Sequence, residues 1–234
     1  MAQGRVRGFP EVGHVSVPEA RCMTTTTMTA TTWGRSAFVA GPGCMAVYGL
    51  VRLMDTERGP GPAWSIGHLF LLAGVLLFVP VLLGLRRLVA RQGETQRAVG
   101  TGAAALGLVG VAALAVQAGI DLLVAYVSAD HEAMRELFAR IQGVPGVMPV
   151  IYTVVPLLFY VGLLVLLGQL AVLRVISAWR PLAVVAGAVA MTATLDLLPV
   201  AALLFLLALA PLGRRVPVGK AGPLRSAGWG TAGG

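Results

Sequence analysis

The most constraining feature of this chain is a stretch of apolar residues too long for a soluble core. Ser65 to Leu85 contains no Asp, Glu, Lys or Arg and includes Leu, Val and Phe at most positions. A bilayer's hydrocarbon core, about 30 Å thick, needs roughly 20 such residues in a helix. Comparable runs occupy Ser36–Met54, Ala98–Val127, Met148–Leu173 and Pro181–Gly213. A soluble domain has about 25% charged residues. Here charged residues are 12% and hydrophobic residues 57%, so charge cannot cover a globular surface and lipid is the matching solvent. The pattern predicts an all-α, integral membrane helical bundle of about six transmembrane helices, with both termini cytoplasmic.

The count of six depends on the last run. At 1.5 Å per residue, Pro181 to Gly213 would make one helix of about 50 Å, well beyond the hydrocarbon thickness. Asp196 and Pro199 lie at its middle, where a tight turn would place them. Two helices, about 175–194 and 198–216, are therefore expected, with Trp179 and Arg180 at the interface. One strongly tilted helix is the alternative.

Charge distribution decides between them, because Arg and Lys concentrate in cytoplasmic loops. The basic residues fall in four groups: Arg5, Arg7, Arg21 and Arg35; Arg86, Arg87, Arg91 and Arg97; Arg174 and Arg180; Arg214, Arg215, Lys220 and Arg225. All four groups lie on one side only if the number of spans is even. Arg52, Arg58, Arg135 and Arg140 then face outward. The net charge of +8 is thereby read as membrane orientation, with anionic lipid nearby. Nucleic acid is not the expected partner, since the basic residues form no single cluster interleaved with aromatics.

The expected spans are about 36–54, 65–85, 98–127, 148–173, 175–194 and 198–216. Gly41-Pro42-Gly43 would kink or break the first. Residues 1–35, Thr-rich from Thr24 to Thr32, read as a disordered tail, with Met23 or Met28 as an alternative start. This tail lacks the apolar segment of a secretory signal peptide. Residues 217–234 read as a second disordered tail. Cys22 and Cys44 lie in such different settings that free thiols are expected.

Between the third and fourth spans, Met134, Leu137, Phe138 and Ile141 fall on one helical face. Glu136 and Arg140 form an i,i+4 pair, and Gly143 and Pro145 end the pattern. An amphipathic helix over about 130–142 on the outer surface is expected, either as a cover for the bundle or as a lid or docking surface. Ala103/Gly107, Ala115/Gly119 and Ala183/Gly187 are spaced as small residues at close helix contacts.

Asp121 is the first candidate functional residue, because an acid within a membrane span marks a functional site by default. Gln117 lies one turn earlier on the same face. Counting turns from the span ends puts His68 and Tyr152 at a similar depth, and Asp196 at the outer turn of the last hairpin. His68, Gln117, Asp121, Tyr152 and Asp196 are expected to form one polar layer in the outer half. The layer is either an interhelical hydrogen-bond clasp or a ligand or proton site, in which a carboxylate sits beside an imidazole. No catalytic residues, metal ligands or cofactor are indicated by any motif.

Gly67-His68-Leu69-Phe70-Leu71-Leu72-Ala73-Gly74, the exit Leu85-Arg86-Arg87-Leu88 and the closing Leu207-Ala208-Leu209-Ala210-Pro211-Leu212-Gly213 give the chain its family character. In these segments it resembles the small multipass membrane proteins of unknown function of high-GC actinobacteria, over about residues 36–216. The resemblance implies six helices in a bacterial cell membrane and supplies no activity. The leading expectation is a non-enzymatic, membrane-embedded interaction or regulatory subunit, with a membrane protein partner or a homo-oligomer. The alternatives are a small transporter or proton-coupled permease using the Asp/His layer, and a membrane-embedded enzyme acting on lipid.

Overall fold

The computed structural model describes residues 20–55 and 59–216, and of residues 20–33 the backbone alone. Most of the predicted N-terminal tail, the alternative starts, Cys22, Arg58 and the predicted C-terminal tail lie outside what it describes in full. The described residues form seven α-helices: α1 Ala20–Met54, α2 Pro62–Val89, α3 Glu94–Val127, α4 His131–Gln142, α5 Val154–Val172, α6 Trp179–Ala193 and α7 Leu198–Gly213. A π-helical turn, Met148–Thr153, leads into α5, and a 3-10 turn, Leu195–Leu197, leads into α7. Among the described residues, five helical stretches are long and apolar enough to cross a membrane: Gly34–Met54, Pro62–Val89, Glu94–Val127, Met148–Val172 and Leu195–Gly213. Helix α6 is also apolar but shorter, at 15 residues.

Three boundaries differ from the sequence expectation. Helix α1 begins at Ala20, inside the segment read as a disordered tail. A helix propagates far more easily than it nucleates, so the Thr-rich segment continues the apolar helix despite its poor propensity. The same helix runs unbroken through Gly41-Pro42-Gly43. There Gly41 packs on Phe78 of α2 and its carbonyl lies beside Gly74, so neighbouring helices support the irregular backbone. Helix α6 starts at Trp179 rather than Val175, because residues 173–178 form a turn. In that turn Arg174 adopts φ 56° and the amides of Val175 and Ile176 return to the Leu170 carbonyl.

The last apolar run divides at Thr194, which is extended and whose hydroxyl accepts a hydrogen bond from the Asp196 amide. Successive apolar helices run antiparallel. Helix α1 packs between α2 and α7, α2 packs on α3 and α5, α3 packs on α5, and α6 packs mainly on α7. Gly49 allows the start of α7 to approach α1, since a Cβ there would stand 2.7 Å from Pro199. At the other end Gly213 lies against Arg35 and Phe38. The centre is apolar: Phe78 meets Phe159 edge-on at 4.9 Å and Phe205 at 6.4 Å. Around the outside, Leu69 and Leu76 of α2, Val109 and Val116 of α3, and Leu203 and Leu207 of α7 are exposed, as a lipid-facing surface requires.

The two ends of the bundle differ in charge. The basic end gathers Arg35, the exit of α2 with Arg86, Arg87 and Arg91, the start of α3 with Arg97, the turn with Arg174 and Arg180, and Arg214 and Arg215 after α7. Its arginines hold backbone carbonyls: Arg35 donates to Gly213 and Arg214, Arg180 to Ala208, and Arg215 to Val175. The acidic end gathers every described acid except Glu94. Helix α4 lies across it, capped by Asp130, which accepts from the Ala133 amide. The helix buries Met134 and sets Phe138 6.4 Å from Trp64 of α2.

Candidate functional site

Three helices each supply a pair of side chains one turn apart at the acidic end. Helix α1 gives Tyr48 and Arg52, α2 gives Trp64 and His68, and α3 gives Gln117 and Asp121. Residues four apart share a face, so each pair points the same way. Gly67 lets α1 come close, since a Cβ there would stand 3.3 Å from Tyr48 and from Val51.

His68 and Asp121 meet between α2 and α3. The His68 Nε2 lies 3.7 Å from Asp121 Oδ2, and both residues are buried, 4% and 8% exposed. The Trp64 indole stacks on the imidazole at 4.3 Å and donates its N–H to the Asp121 carbonyl at 3.2 Å. Tyr48 meets the other side of the imidazole edge-on at 5.2 Å. The ring is thus held in one orientation by its neighbours.

Hydrogen bonding then fixes the chemistry of the pair. The His68 Nδ1 lies 2.9 Å from the Trp64 carbonyl oxygen. That oxygen only accepts, so Nδ1 carries a hydrogen. In a neutral imidazole the other nitrogen then presents a lone pair. The lone pair faces a carboxylate oxygen, which also only accepts. A proton on either partner would turn this repulsion into attraction.

Asp121 also faces a cavity of about 460 Å³, bounded by α1, α2, α3, α5, α6 and the start of α7. Its lining is mostly apolar, with Gln117, Asp121, Tyr152, Thr153 and Thr192 among its polar groups and Phe78, Phe159 and Tyr160 among its aromatic ones. The size and the balance of apolar and polar groups are those of a small-molecule site. Asp121 is the only charged residue among the described residues that line it. The Tyr152 hydroxyl is buried beside Gln142 without a hydrogen bond of ordinary geometry. On the far side of the pair, His68 borders a hollow of about 10 Å³ with Tyr48, Arg52, Asp55 and Trp64, about the space one water occupies. Tyr48 lines both spaces.

Of the sequence-predicted residues, Gln117, Asp121 and Tyr152 line one cavity, and His68 joins them through Asp121 rather than by touching the cavity. Asp196 stands apart. It is 44% exposed on the α6–α7 turn and pairs with Arg52 at 3.6 Å. Sequence reasoning missed Tyr48 and Trp64. Their i,i+4 partners Arg52 and His68, near the ends of adjacent spans, were the available signal. Among the described residues no three His, Cys, Asp or Glu side chains converge as metal ligands would. No known protein family, curated protein or solved structure gives a significant match to the chain.

Proposed function

We propose that the chain is a six-span protein of the bacterial cell membrane, with the basic end cytoplasmic, and that it works as a small proton-linked carrier. Its cargo is a mostly apolar molecule bearing one cationic group. The observation that carries this reading is the position of the His68–Asp121 pair, which stands between the cavity and the one-water hollow at the acidic end. A cation arriving at Asp121 replaces the positive charge of the shared proton. One positive charge enters the site, and one proton leaves past His68 toward the acidic end.

The charge of the cargo follows from the lining. A lone carboxylate, no lining Arg or Lys among the described residues, and several aromatic rings suit an organic cation, which aromatic rings attract through their electron-rich faces. Sidedness follows the arginine distribution. The sixth span is α6. Its 15 residues reach about 22 Å at 1.5 Å per residue, and the flanking turns make up the remaining depth.

The test uses proteoliposomes holding a pH-sensitive dye, challenged with neutral alcohols, carboxylates, aromatic amines and quaternary ammonium compounds. Cationic members should shift the trapped pH with wild-type protein, and Asp121→Asn should reduce the shift to that of empty liposomes at equal protein content. If no compound separates the two proteins, the carrier reading fails. An interaction subunit needs no cavity at its intramembrane acid. A stoichiometric partner on co-purification from the native membrane, together with no compound-dependent pH shift, would restore that expectation.

A further inference from the structure

We infer that the basic end binds a phosphate group in the hollow between the α5–α6 turn and the end of α7. This hollow measures about 470 Å³, and Arg174, Arg180 and Arg215 all line it, together with Ser177 and Ala178. The three arginines come from a turn, a helix start and the segment after the last helix, so the fold rather than a sequence run brings them together. No acid is among the described lining residues. Arg180 and Arg215 lie within electrostatic reach of each other, an arrangement of like charges that an anion relieves.

The donors are only partly used. Arg180 gives Nη1 to the Ala208 carbonyl and Arg215 gives Nη1 to the Val175 carbonyl. The Nε of Arg180 is buried and has no hydrogen-bond partner. An unmet buried donor is costly.

Backbone geometry points the same way. Helix α6 begins at this hollow. Arg174 adopts φ 56°, a conformation that favours glycine, yet the position carries a guanidinium. Arginine's planar fork matches phosphate oxygens two at a time. The phosphate is either that of an anionic phospholipid headgroup or an inorganic ion from solution.

The full chain, purified in mild detergent, would be titrated with phosphatidylglycerol, and separately with inorganic phosphate, and read by native mass spectrometry. Wild type should bind phosphatidylglycerol more tightly than Arg174→Gln by about fivefold, the scale of one basic residue at an anionic surface. The Arg180→Gln/Arg215→Gln double variant should lose more. Arg87→Gln/Arg91→Gln, at the same end but outside the hollow, should stay within about twofold of wild type. Arg174 is the safer variant, because Arg180 and Arg215 also hold helix carbonyls. Inorganic phosphate that binds with the same arginine dependence and displaces the lipid makes the occupant a solution ion. Binding of the lipid alone makes it a headgroup. Equal affinity in wild type and Arg174→Gln, or an equal loss in the Arg87/Arg91 variant, overturns the site.

Discussion

Helix α5 packs differently against α3 and against α6. Toward α3 it makes backbone-to-backbone contact. A Cβ on Gly110 would run into the Phe159 amide nitrogen, and one on Gly162 would run into the Ala103 carbonyl and the Gly107 backbone. Toward α6 the acidic half stays open. Thr153 and Leu157 on one side and Val189 and Thr192 on the other are exposed, and all four line the cavity. Small residues let membrane helices approach closely, and such contacts replace the hydrophobic drive that lipid removes. Helices α2, α3 and α5 therefore form a tight group, Gly187 of α6 packs on Phe205 and the Ala201 carbonyl of α7, and α1 joins the two groups between α2 and α7. The cavity is the seam between these groups, and Asp121 reaches it from the tight side.

The strongest way to break this comparison is to place a valine in each seam. Gly162→Val should destabilise the protein by about 2–3 kcal/mol, the usual cost of overpacking, because the carbonyl and backbone it meets cannot move aside. Ala188→Val adds two carbons at the cavity and should stay within about 0.5 kcal/mol. Thermal unfolding of the detergent-solubilised protein measures both. Equal losses would mean that the α5–α6 seam is packed as tightly as the α3–α5 seam.

A smaller effect sharpens the same contrast by separating stability from function. Leu157 is 54% exposed at the edge of the cavity. Leu157→Trp should fill the mouth and lower the cation-driven pH response roughly tenfold, equivalent to ~1.4 kcal/mol, without moving the melting temperature. A lower melting temperature with an unchanged response would mean that Leu157 packs against α6 and that the entrance lies elsewhere.

The helices were legible because lipid leaves a blunt signature, uninterrupted apolar length, and α4 was legible because its apolar residues keep helical spacing. Gly107 and Gly187 sit at close contacts, as their small-residue spacing implies, whereas Gly119 has open space around it. Spacing alone cannot say which face of α3 meets a neighbour. The pairing of His68 with Asp121 followed from depth, since both lie within two turns of the same bundle end. The cavity was not legible, because a void belongs to the divergence of α5 from α6 and to no single residue. Trp64 and Tyr48 read as ordinary aromatics near helix ends. Their role as the two walls holding the His68 ring appears only when α1 and α2 are set side by side.

Asp196 offers the finest test, because it is the same residue type as Asp121 at the same end of the molecule. Depth counting along the chain groups the two. The fold separates them, since the Thr194–Asp196 turn carries the second acid out of the seam to Arg52 at 3.6 Å, with 19% and 44% of the two side chains exposed. Exposed ion pairs contribute about 0–1 kcal/mol. Asp196→Asn should therefore change stability by no more than about 0.5 kcal/mol and leave the cation-driven pH response within about twofold of wild type, where Asp121→Asn removes it. The chemical change is identical in the two variants, so any difference reports position alone. If Asp196→Asn also abolishes the response, the α6–α7 turn belongs to the site, and the boundary between seam and surface must be moved outward to include Arg52.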